Sequence, residues 1–586
     1  MITVLDFGGQ YAHLIAQKVR KLGAYSEICS PTTPASELKK SSGIILSGGP
    51  QSVYEKGSPH ADPALLELGI PVLGICYGWQ WMAHVLGGRV EPQQKGEYGA
   101  VQIHQCSFIP FLPPDPTFTV WMSHGDSVTK LPQGFIELAA SPNCPHAAAG
   151  NFSRKLYGVQ FHPEVTHTEH GEKILRRFVT ICQPPKWSVG DLLPQIQTYI
   201  KTHAANKKVF MFVSGGVDSV VAFTLLNQEL GSDRVMGMLI DTGLMRLDEI
   251  LNIQQSLAQL GITNLRVENA RELFVGRLGD AYDPEVKRHI IGEAFVEVHN
   301  RVSARLGLLE NEWLLGQGTI YPDRIESGAT AHADRIKTHH NRVDGIKKLI
   351  DQGRVIEPLR DLYKDEVRKL GELIGLPHEA VWRHPFPGPA LAIRILCSKE
   401  RGVSVQTRGS LQPYVPIPVQ SVGVQGDKRT YRGAVSFFGP GQGEVLEEVW
   451  NQAPSIPNCN EDISRVLCCL SHSQAPRFHL RPAFVTLETV RILQEADFLV
   501  EEVLRKRNLY TSVWQFPVVL IPIGCRPRTF SIVLRPVHSE DGMTAAASRL
   551  PAAALEEMTE LILGIPEISM VFLDLTSKPP GTIEWE

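Results

Sequence analysis

Four short, strongly hydrophobic segments in the first third of the chain each end in a turn that contains glycine. They are, in order, ITVLDFG, GIILSGGP, PVLGICYG and LYGVQFHPEV. Hydrophobic strands that alternate with helical segments predict a mostly parallel sheet covered by helices, because parallel strands need crossover connections. Ligands of such sheets bind beyond the carboxyl ends of the strands, so we expect functional groups in these glycine turns.

A second segment of the same kind begins at KKVFMFVSGGVDSVVAFTLL, and VMGMLIDTGLM and NLRVENA add further strands. A chain of 586 residues is too long for a single hydrophobic core. We predict an α/β multidomain protein with two doubly wound, mostly parallel α/β domains. They span residues 1–182 and 208–396, with a linker at 183–207.

The remaining segment, residues 397–586, carries a weak internal repeat. VPIPVQSVGVQGDKRTYRGAVSFFG resembles FPVVLIPIGCRPRTFSIVLRPV, and the two copies align at Arg429-Thr430-Tyr431 and Arg528-Thr529-Phe530. In each copy the two strands are followed by a helix containing LEE and a short strand. We therefore predict a C-terminal α+β region with two related subdomains. A chance similarity between two β-hairpins is the alternative.

Charge and cysteine content limit the classes of partner and the compartment. The formal net charge of −4, from 58 basic and 62 acidic residues, disfavours nucleic acid or an acidic membrane as a partner. We find no signal-peptide pattern and no apolar run of about 18 residues, so we expect no membrane association. The ten cysteines include no C-x-x-C pair, which disfavours a disulfide framework or zinc site and favours the cytoplasm.

One cysteine, Cys76, lies in GICYG on a strand-to-helix turn bounded by glycines. Such a turn exposes a nucleophile at a helix N-terminus, where a thiolate is stabilised. His162 and Glu164 in FHPEV share one face of an extended segment, so the imidazole could shuttle protons while the carboxylate orients it. The backbone N–H groups of Gly49, in SGGP, and of Tyr77 could stabilise an oxyanion.

Together GICYG, SGGP and FHPEV resemble the class I glutamine amidotransferases, which hydrolyse glutamine to glutamate and ammonia. The resemblance covers the first predicted domain and implies that Cys76, His162 and Glu164 form the catalytic triad. Taken singly, a buried small hydrophobe and a structural histidine are the ordinary interpretations of this cysteine and this histidine.

The segment SGGVDS follows the strand VFMFV and begins a helix. Glycines let a backbone approach phosphate, and N–H groups at a helix start bind its charge. The Walker A lysine is missing, and an ordinary glycine turn capped by Ser214 is the alternative. The motif resembles the loop of N-type ATP pyrophosphatases, which split ATP into AMP and pyrophosphate. The resemblance implies a Mg²⁺ ligand at Asp218 and an ATP site made by Ser214, Gly215, Gly216, Val217, Asp218, Ser219 and Val220.

Several further motifs resemble the GMP synthetase family. They are KRHIIG, QGTIYPD, IES, KTHHN, PLRD, HPFPGP and the C-terminal TSKPPGTIEWE. In that family ATP adenylylates XMP at O2, and ammonia from glutamine displaces AMP to give GMP. The resemblance implies XMP contacts from Arg288, Asp427, Gln515, Lys578 and Glu584, with Lys364 as a further phosphate candidate.

Two features of the sequence qualify this resemblance. Ala390 stands where the family has glycine. The two copies of the C-terminal repeat resemble the form of the family with both subdomains in one chain, whereas the shorter form pairs through its single copy with a second chain. We therefore expect a monomer that binds only small molecules, with a homodimer as the alternative. Another glutamine-dependent ligase, acting on a carboxylate such as that of deamido-NAD, and a regulator with a dead site are the competing functions.

Overall fold

The computed structural model describes residues 1–107, 111–308, 312–323, 349, 352–399, 402–404, 414–425, 428–439, 445–460, 462–539 and 544–586. The motifs IES and KTHHN lie outside the described residues, as does Asp427. The chain divides into two compact units, Met1–Gln195 and Ile196–Glu586, and each is described by itself. None of the described helices is both long enough and apolar enough to cross a membrane.

The first unit contains a nine-stranded sheet in the order β2-β1-β3-β4-β9-β8-β7-β5-β6. Its strands are β1 Ile2–Leu5, β2 Ser26–Cys29, β3 Gly43–Leu46, β4 Val72–Ile75, β5 Arg89–Gln105, β6 Thr117–Lys130, β7 Ile136–Ala140, β8 Ala148–Asn151 and β9 Leu156–Val159. Its helices are α1 Ala12–Lys21, α2 Ala35–Leu38, α3 Tyr77–Val85 and α4 Gly171–Cys182, with a 3₁₀ turn at Pro63–Glu67.

The pairing in this sheet divides it into a parallel and an antiparallel half. β2, β1, β3, β4 and β9 are parallel. The four strands predicted from the sequence are β1, β3, β4 and β9, and every residue in them is buried, as expected for strands covered on both faces. The antiparallel extension through β8, β7, β5 and β6 was not predicted.

The second unit begins with a five-stranded, fully parallel sheet in the order β12-β11-β10-β13-β14, which confirms the second predicted α/β fold. Its strands are β10 Lys208–Phe212, β11 Val235–Asp241, β12 Leu265–Asn269, β13 Trp313–Gly316 and β14 Val355–Ile356. Helices in this part of the chain are α5 Leu193–Ala204, α6 Val217–Leu230, α7 Glu249–Ala258, α8 Arg271–Leu278, α9 Pro284–Arg305, α10 Lys364–Leu373 and α11 His378–Val381, with a 3₁₀ turn at Ala390–Arg394.

The C-terminal part of this unit contains a six-stranded sheet in the order β16-β17-β18-β25-β22-β20. Its strands are β16 Tyr414–Gln425, β17 Lys428–Phe438, β18 Ile463–Cys469, β20 Val518–Ile521, β22 Phe530–Leu534 and β25 Ile568–Asp574. The shorter strands are β15 Gly402–Ser404, β19 Phe478–Leu480, β21 Ile523–Gly524, β23 Val537–His538 and β24 Ala546–Ala547. The helices are α12 Glu447–Gln452, α13 Ile456–Cys459, α14 Leu487–Lys506 and α15 Ala552–Leu563.

The six-stranded sheet has an approximate two-fold axis at its centre, where Cys468 of β18 pairs with Leu573 of β25 in antiparallel register. On either side, an inner strand is parallel to the next strand, which in turn is antiparallel to the outer one. The predicted repeat is therefore present as two related halves that pack against each other within one chain. In one half of the sheet Gly433 pairs with Ile463, and in the other half Phe530 pairs with Ile568. Phe530 is therefore equivalent to Gly433 and not to Tyr431, so the alignment made from the sequence is wrong by two residues.

Ala390 has a backbone φ of +55°, in the left-handed region that favours glycine. A non-glycine residue costs about 1–2 kcal/mol in this region. The side chain is only 7% exposed, and burying one methyl group returns about 0.8 kcal/mol. The left-handed conformation is therefore kept although the residue is alanine, and burial of the methyl group offsets part of the cost.

Candidate active sites

Cys76 lies between β4 and α3, with φ of 50° and ψ of −108°. This strained conformation is typical of a nucleophile placed on a sharp strand-to-helix turn. The following helix passes very close to β3, because a Cβ added to Gly78 would lie 2.3 Å from the carbonyl oxygen of Leu46. The sequence GICYG therefore folds into the predicted elbow, and its second glycine is needed for the close approach of helix and strand.

His162 and Glu164 meet directly, with 2.7 Å between Nδ1 and Oε1. The two residues are 4% and 0% exposed. Burial alone would lower the pKa of His162, but Glu164 and Cys76 outweigh that effect and hold this pKa well above its ordinary value. The backbone is fixed as well, because the His162 N–H donates to the carbonyl of Trp121 and the Thr168 hydroxyl donates to the carbonyl of His162. The geometry therefore favours a protonated imidazole that is oriented by a carboxylate and lies beside the thiol of Cys76.

The SGGP turn lies against this pair. A Cβ added to Gly48 would lie 3.1 Å from Cε1 of His162 and 3.7 Å from Cβ of Cys76. A Cβ added to Gly49 would lie 3.2 Å from Cγ of Tyr77. Tyr77 is the first residue of α3, where helix N–H groups have no carbonyl partner within the helix. The structure thus places the SGGP turn against Cys76 and Tyr77, and stabilisation of an oxyanion by the N–H groups of Gly49 and Tyr77 stays a prediction.

Two further polar groups contact the sulfur of Cys76, and the sequence indicated neither of them. The amide of Gln160 donates to the Cys76 sulfur at 3.6 Å, and the thiol is 3.6 Å from the carbonyl oxygen of Ser123. The next residue, His124, lies 3.3 Å from Glu97 in a buried pair. Burial lowers the pKa of His124, and Glu97 opposes this effect. Ser123 and His124 lie in β6, Glu97 lies in β5, and Gln160 directly follows β9. None of the four was part of a predicted catalytic site, because nothing local to them indicates chemistry.

The SGGVDS segment forms a tight loop between β10 and α6. Gly215 has φ of +82°, and the hydroxyl of Ser214 accepts the N–H of Gly216 at 3.2 Å. The same hydroxyl is 3.1 Å from that of Ser219. The loop therefore presents glycine backbone at a helix N-terminus, which is the arrangement that binds phosphate. Of the seven predicted residues, Ser214, Gly215 and Gly216 precede α6, and Val217, Asp218, Ser219 and Val220 form its first turn.

Asp218 has a buried oxygen, Oδ1, that has no hydrogen-bond partner in the described part of the chain. Its other oxygen is 3.8 Å from Nζ of Lys364, the first residue of α10. Burial raises the pKa of Asp218 and the charge of Asp323 adds to this, whereas Lys364 lowers it. Mg²⁺ is usually bound by one or two carboxylates together with substrate phosphates, so an unsatisfied carboxylate oxygen at a phosphate loop fits this ion.

Two of the predicted nucleotide contacts touch each other. The amide of Gln515 donates to Oε1 of Glu584 at 2.8 Å. The carboxylate of Glu584 also accepts a two-pronged hydrogen bond from Arg394, at 2.9 and 2.8 Å. Arg394 was not predicted, because a lone arginine after HPFPGP gives no signal. Arg288 donates to the backbone oxygen of Glu586, at the end of the same tail.

Lys578 lies in this tail as well, and its backbone exchanges two hydrogen bonds with Ala545. Two fully buried arginines that the sequence did not indicate, Arg465 and Arg535, hold the tail by donating to the carbonyl oxygen of Thr582. Their charges are balanced by Asp574, at 3.3 and 2.8 Å. The C-terminal segment is therefore fixed by buried ion pairs rather than lying free on the surface.

Known protein families match parts of both compact units. Residues 3–182 match the family model of glutamine amidotransferase class-I, and residues 502–585 match that of the GMP synthase C terminal domain. A probable GMP synthase [glutamine-hydrolyzing] of Leptospira interrogans is 47% identical over 100% of this chain and 99% of its own length.

Two other relatives match over the same extent. GMP synthases [glutamine-hydrolyzing] of Prochlorococcus marinus (strain NATL2A) and Aquifex aeolicus are 40% and 38% identical. Both alignments cover 100% of this chain, and 98% and 99% of the relatives. Identity at this level along the whole length shows that the chain belongs to the glutamine-hydrolysing GMP synthases.

Proposed function

We propose that the chain converts XMP to GMP, with ATP as the activating co-substrate, Mg²⁺ as the cofactor and ammonia released from glutamine as the nitrogen source. The observation that carries this proposal is the phosphate loop with the unsatisfied Oδ1 of Asp218, in a chain that also contains a buried His162–Glu164 pair beside a cysteine. One site supplies a nucleophile and the other creates a leaving group, which are the two requirements for replacing a carbonyl oxygen with an amine.

At the first site, the thiolate of Cys76 attacks the amide carbon of glutamine. The N–H groups of Gly49 and Tyr77 stabilise the resulting oxyanion. His162 gives its proton to the departing ammonia, and it then takes a proton from the water that hydrolyses the thioester. The 2.7 Å contact with Glu164 holds the imidazole in the orientation that both steps need.

At the second site, the loop N–H groups and Lys364 bind the phosphates of ATP. O2 of XMP attacks the α-phosphate, pyrophosphate leaves, and ammonia then attacks C2 and displaces AMP. Mg²⁺ would offset the charge on the departing pyrophosphate. Asp218 would hold this ion through Oδ1, the oxygen that lacks a partner in the described residues.

The proposed XMP site lies at the C-terminal tail. Arg288 and Lys578 supply positive charge for the nucleotide phosphate. Glu584 and Gln515, which are in contact at 2.8 Å, supply acceptors and a donor for the ribose and base. Asp427, which lies outside the described residues, completes the proposed set.

The proposal includes the organisation of the chain. We assign residues 1–182 to glutamine hydrolysis, 183–207 to a linker, 208–396 to ATP binding and 397–586 to the C-terminal region. We further propose that the protein is a monomer in the cytoplasm, which agrees with ten free cysteines.

The test is to incubate the purified protein with Mg-ATP and XMP, with either glutamine or an ammonium salt, and to measure GMP, AMP and pyrophosphate. We expect all three products with either nitrogen source. Deamido-NAD in place of XMP serves as the comparison for the competing ligase. Formation of ADP and phosphate, or failure to consume XMP with both nitrogen sources, would show that the proposal is wrong.

A further inference from the structure

The phenyl ring of Phe386, in HPFPGP, contacts two guanidinium groups. The Cζ atom of Arg246 is 4.9 Å from the ring centre and that of Arg394 is 5.0 Å away. The two arginine side chains are 14% and 0% exposed. The face of an aromatic ring attracts a cation. Two buried positive charges against the same ring also repel each other, and a buried anion that contacts both offsets this repulsion.

Asp497 of α14 supplies that anion. Its Oδ2 is 3.2 Å from Nε of Arg246, and its Oδ1 is 3.8 Å from Nη1 of Arg394. The carboxylate side chain is 6% exposed, so the two charge pairs are little screened by solvent. A second carboxylate, that of Glu501, lies 3.4 Å from Nη1 of Arg246 and does not reach Arg394 within ion-pair distance in the described structure.

Each arginine leads to a different part of the proposed amination site. Arg394 uses Nε and Nη2 to hold both oxygens of Glu584. Its remaining nitrogen, Nη1, is buried and has no hydrogen-bond partner among the described residues. The negative charge of Asp497 offsets the positive charge at this nitrogen. One orientation of the guanidinium places Nε and Nη2 opposite the two oxygens of Glu584, and the carboxylate of Asp497 beside Nη1 favours that orientation.

Arg246 belongs to the loop that follows β11, at the edge of the parallel sheet where ligands bind. Two contacts fix this loop: the amide of Gln494 donates to the carbonyl of Met245 at 2.6 Å, and the Leu391 N–H donates to the carbonyl of Leu244 at 2.9 Å. Gln494 is on the same helix as Asp497, so α14 contacts both this loop and the cation that holds Glu584.

We propose that Asp497 is a positioning residue for the amination of XMP. Through Arg394 it sets the orientation of the Glu584 carboxylate, and through Arg246 it keeps the loop after β11 at a fixed spacing from that carboxylate. This inference rests on the proposed function, in which Glu584 binds XMP. It extends that function by giving Phe386 of HPFPGP a role as a support for the two arginines.

The experiment is a double-mutant cycle of Asp497→Asn and Glu584→Gln, measured as ammonium-supported GMP formation with XMP as the varied substrate. Asp497→Asn keeps the shape and removes the charge, so we expect KM for XMP to rise about ten-fold, with a smaller change in kcat. The double variant should be no worse than Glu584→Gln alone, because Asp497 acts through Glu584. The control, Glu502→Gln, changes an exposed carboxylate on the same helix and should leave KM unchanged.

A second variant covers the case in which Asp497→Asn does not fold. Arg394→Lys keeps a positive charge next to Asp497 but loses the two parallel hydrogen bonds to Glu584. It should therefore raise KM for XMP to a similar extent. If Glu584→Gln leaves KM unchanged, the proposed XMP site and this inference both fail. If Glu584→Gln raises KM while Asp497→Asn and Arg394→Lys do not, or if the effects of Asp497→Asn and Glu584→Gln add, only the inference is overturned.

Discussion

Nδ1 of His162 lies 2.7 Å from Oε1 of Glu164, and the two side chains are only 6% and 0% exposed. A buried carboxylate at this distance fixes the ring, so that Nδ1 carries a proton toward Glu164 and Nε2 faces Cys76. The same carboxylate raises the pKa of His162 against the opposing effect of burial. One contact between residues two positions apart therefore sets both the orientation and the charge of the base.

The first prediction concerns Glu164→Gln. The amide can turn its NH₂ group toward Nδ1 and stabilise the wrong tautomer, so glutamine hydrolysis should fall about 100-fold or more. GMP formation from ammonium should be unchanged, because only the ammonia source is lost. The measurement is the rate of GMP formation with each nitrogen source. The exposed Glu172→Gln on α4 is the control, and equal loss with glutamine and ammonium would contradict the prediction.

The second prediction concerns Asp218→Asn. Replacing a carboxylate oxygen at the phosphate loop with an amide removes a Mg²⁺ ligand, and a bound metal ion contributes several kcal/mol to phosphoryl transfer. We expect formation of AMP and pyrophosphate to fall about 100-fold or more with either nitrogen source. Hydrolysis of glutamine without XMP should persist. Asp233→Asn, in the exposed turn after α6, is the matched control. Normal pyrophosphate release by the variant would exclude the proposed role.

The elbow at Cys76, the FHPEV dyad and the phosphate loop could be predicted because each is a short segment whose chemistry is local. A glycine turn and an i, i+2 spacing place their side chains in the same way whatever the rest of the chain does. The buried strands were predicted for the same reason, since a short run of hydrophobic residues between glycine turns is typical of a buried strand.

Contacts between distant segments could not be predicted. Arg394 and Glu584 are 190 positions apart, and Cys76 and Gln160 are 84 apart. Nothing local to Arg394 distinguishes a buried arginine from a solvated one. The two-residue error in aligning Tyr431 with Phe530 has a similar cause. The pairing of each strand with its inner neighbour has a register shift, after Gly433 in β17 and after Phe530 in β22, so β17 begins well before its shift whereas β22 begins at it. Strand register depends on pairing partners, which a single segment does not contain.

The third prediction is a dependence of stability on pH that originates at His384. Its ring stacks on that of Tyr510 at 4.0 Å, and its Nε2 lies 2.8 Å from the carbonyl oxygen of Tyr510. Burial lowers the pKa of His384 to about 4, partly opposed by that hydrogen bond. An unfolded histidine has a pKa of about 6.5, so below that pH the unfolded chain binds a proton that the folded chain does not.

The contribution of this histidine is therefore fully present above pH 6.5 and is lost as the pH falls toward 4. Between pH 7.5 and 5 the free energy of unfolding should fall by about 2 kcal/mol more in the natural protein than in His384→Gln. Denaturant titrations at both pH values measure this difference. His289→Gln, with a ring that is 61% exposed, should keep the slope of the natural protein. Equal slopes for the natural protein and His384→Gln would contradict the assignment.

The last prediction follows from the centre of the six-stranded sheet. β18 and β25 pair there through Leu467, Cys468 and Cys469 on one side and Phe572, Leu573 and Asp574 on the other. The resemblance in the sequence implies that a single-copy form pairs through its one copy with a second chain, whereas here both copies of the repeat belong to one chain. We therefore expect a sedimentation mass near 64.9 kDa at micromolar concentration.

Leu573→Ala tests whether this pairing supports the fold. Leu573 is 0% exposed at the approximate two-fold axis, so shortening it should lower the free energy of unfolding by about 2–5 kcal/mol. Leu563→Ala, at a position that is 37% exposed, should change it far less. Because both halves of the sheet belong to one chain, the loss should not depend on protein concentration. A mass twice that of the chain, or a midpoint of unfolding that rises with concentration, would contradict the prediction of a monomer.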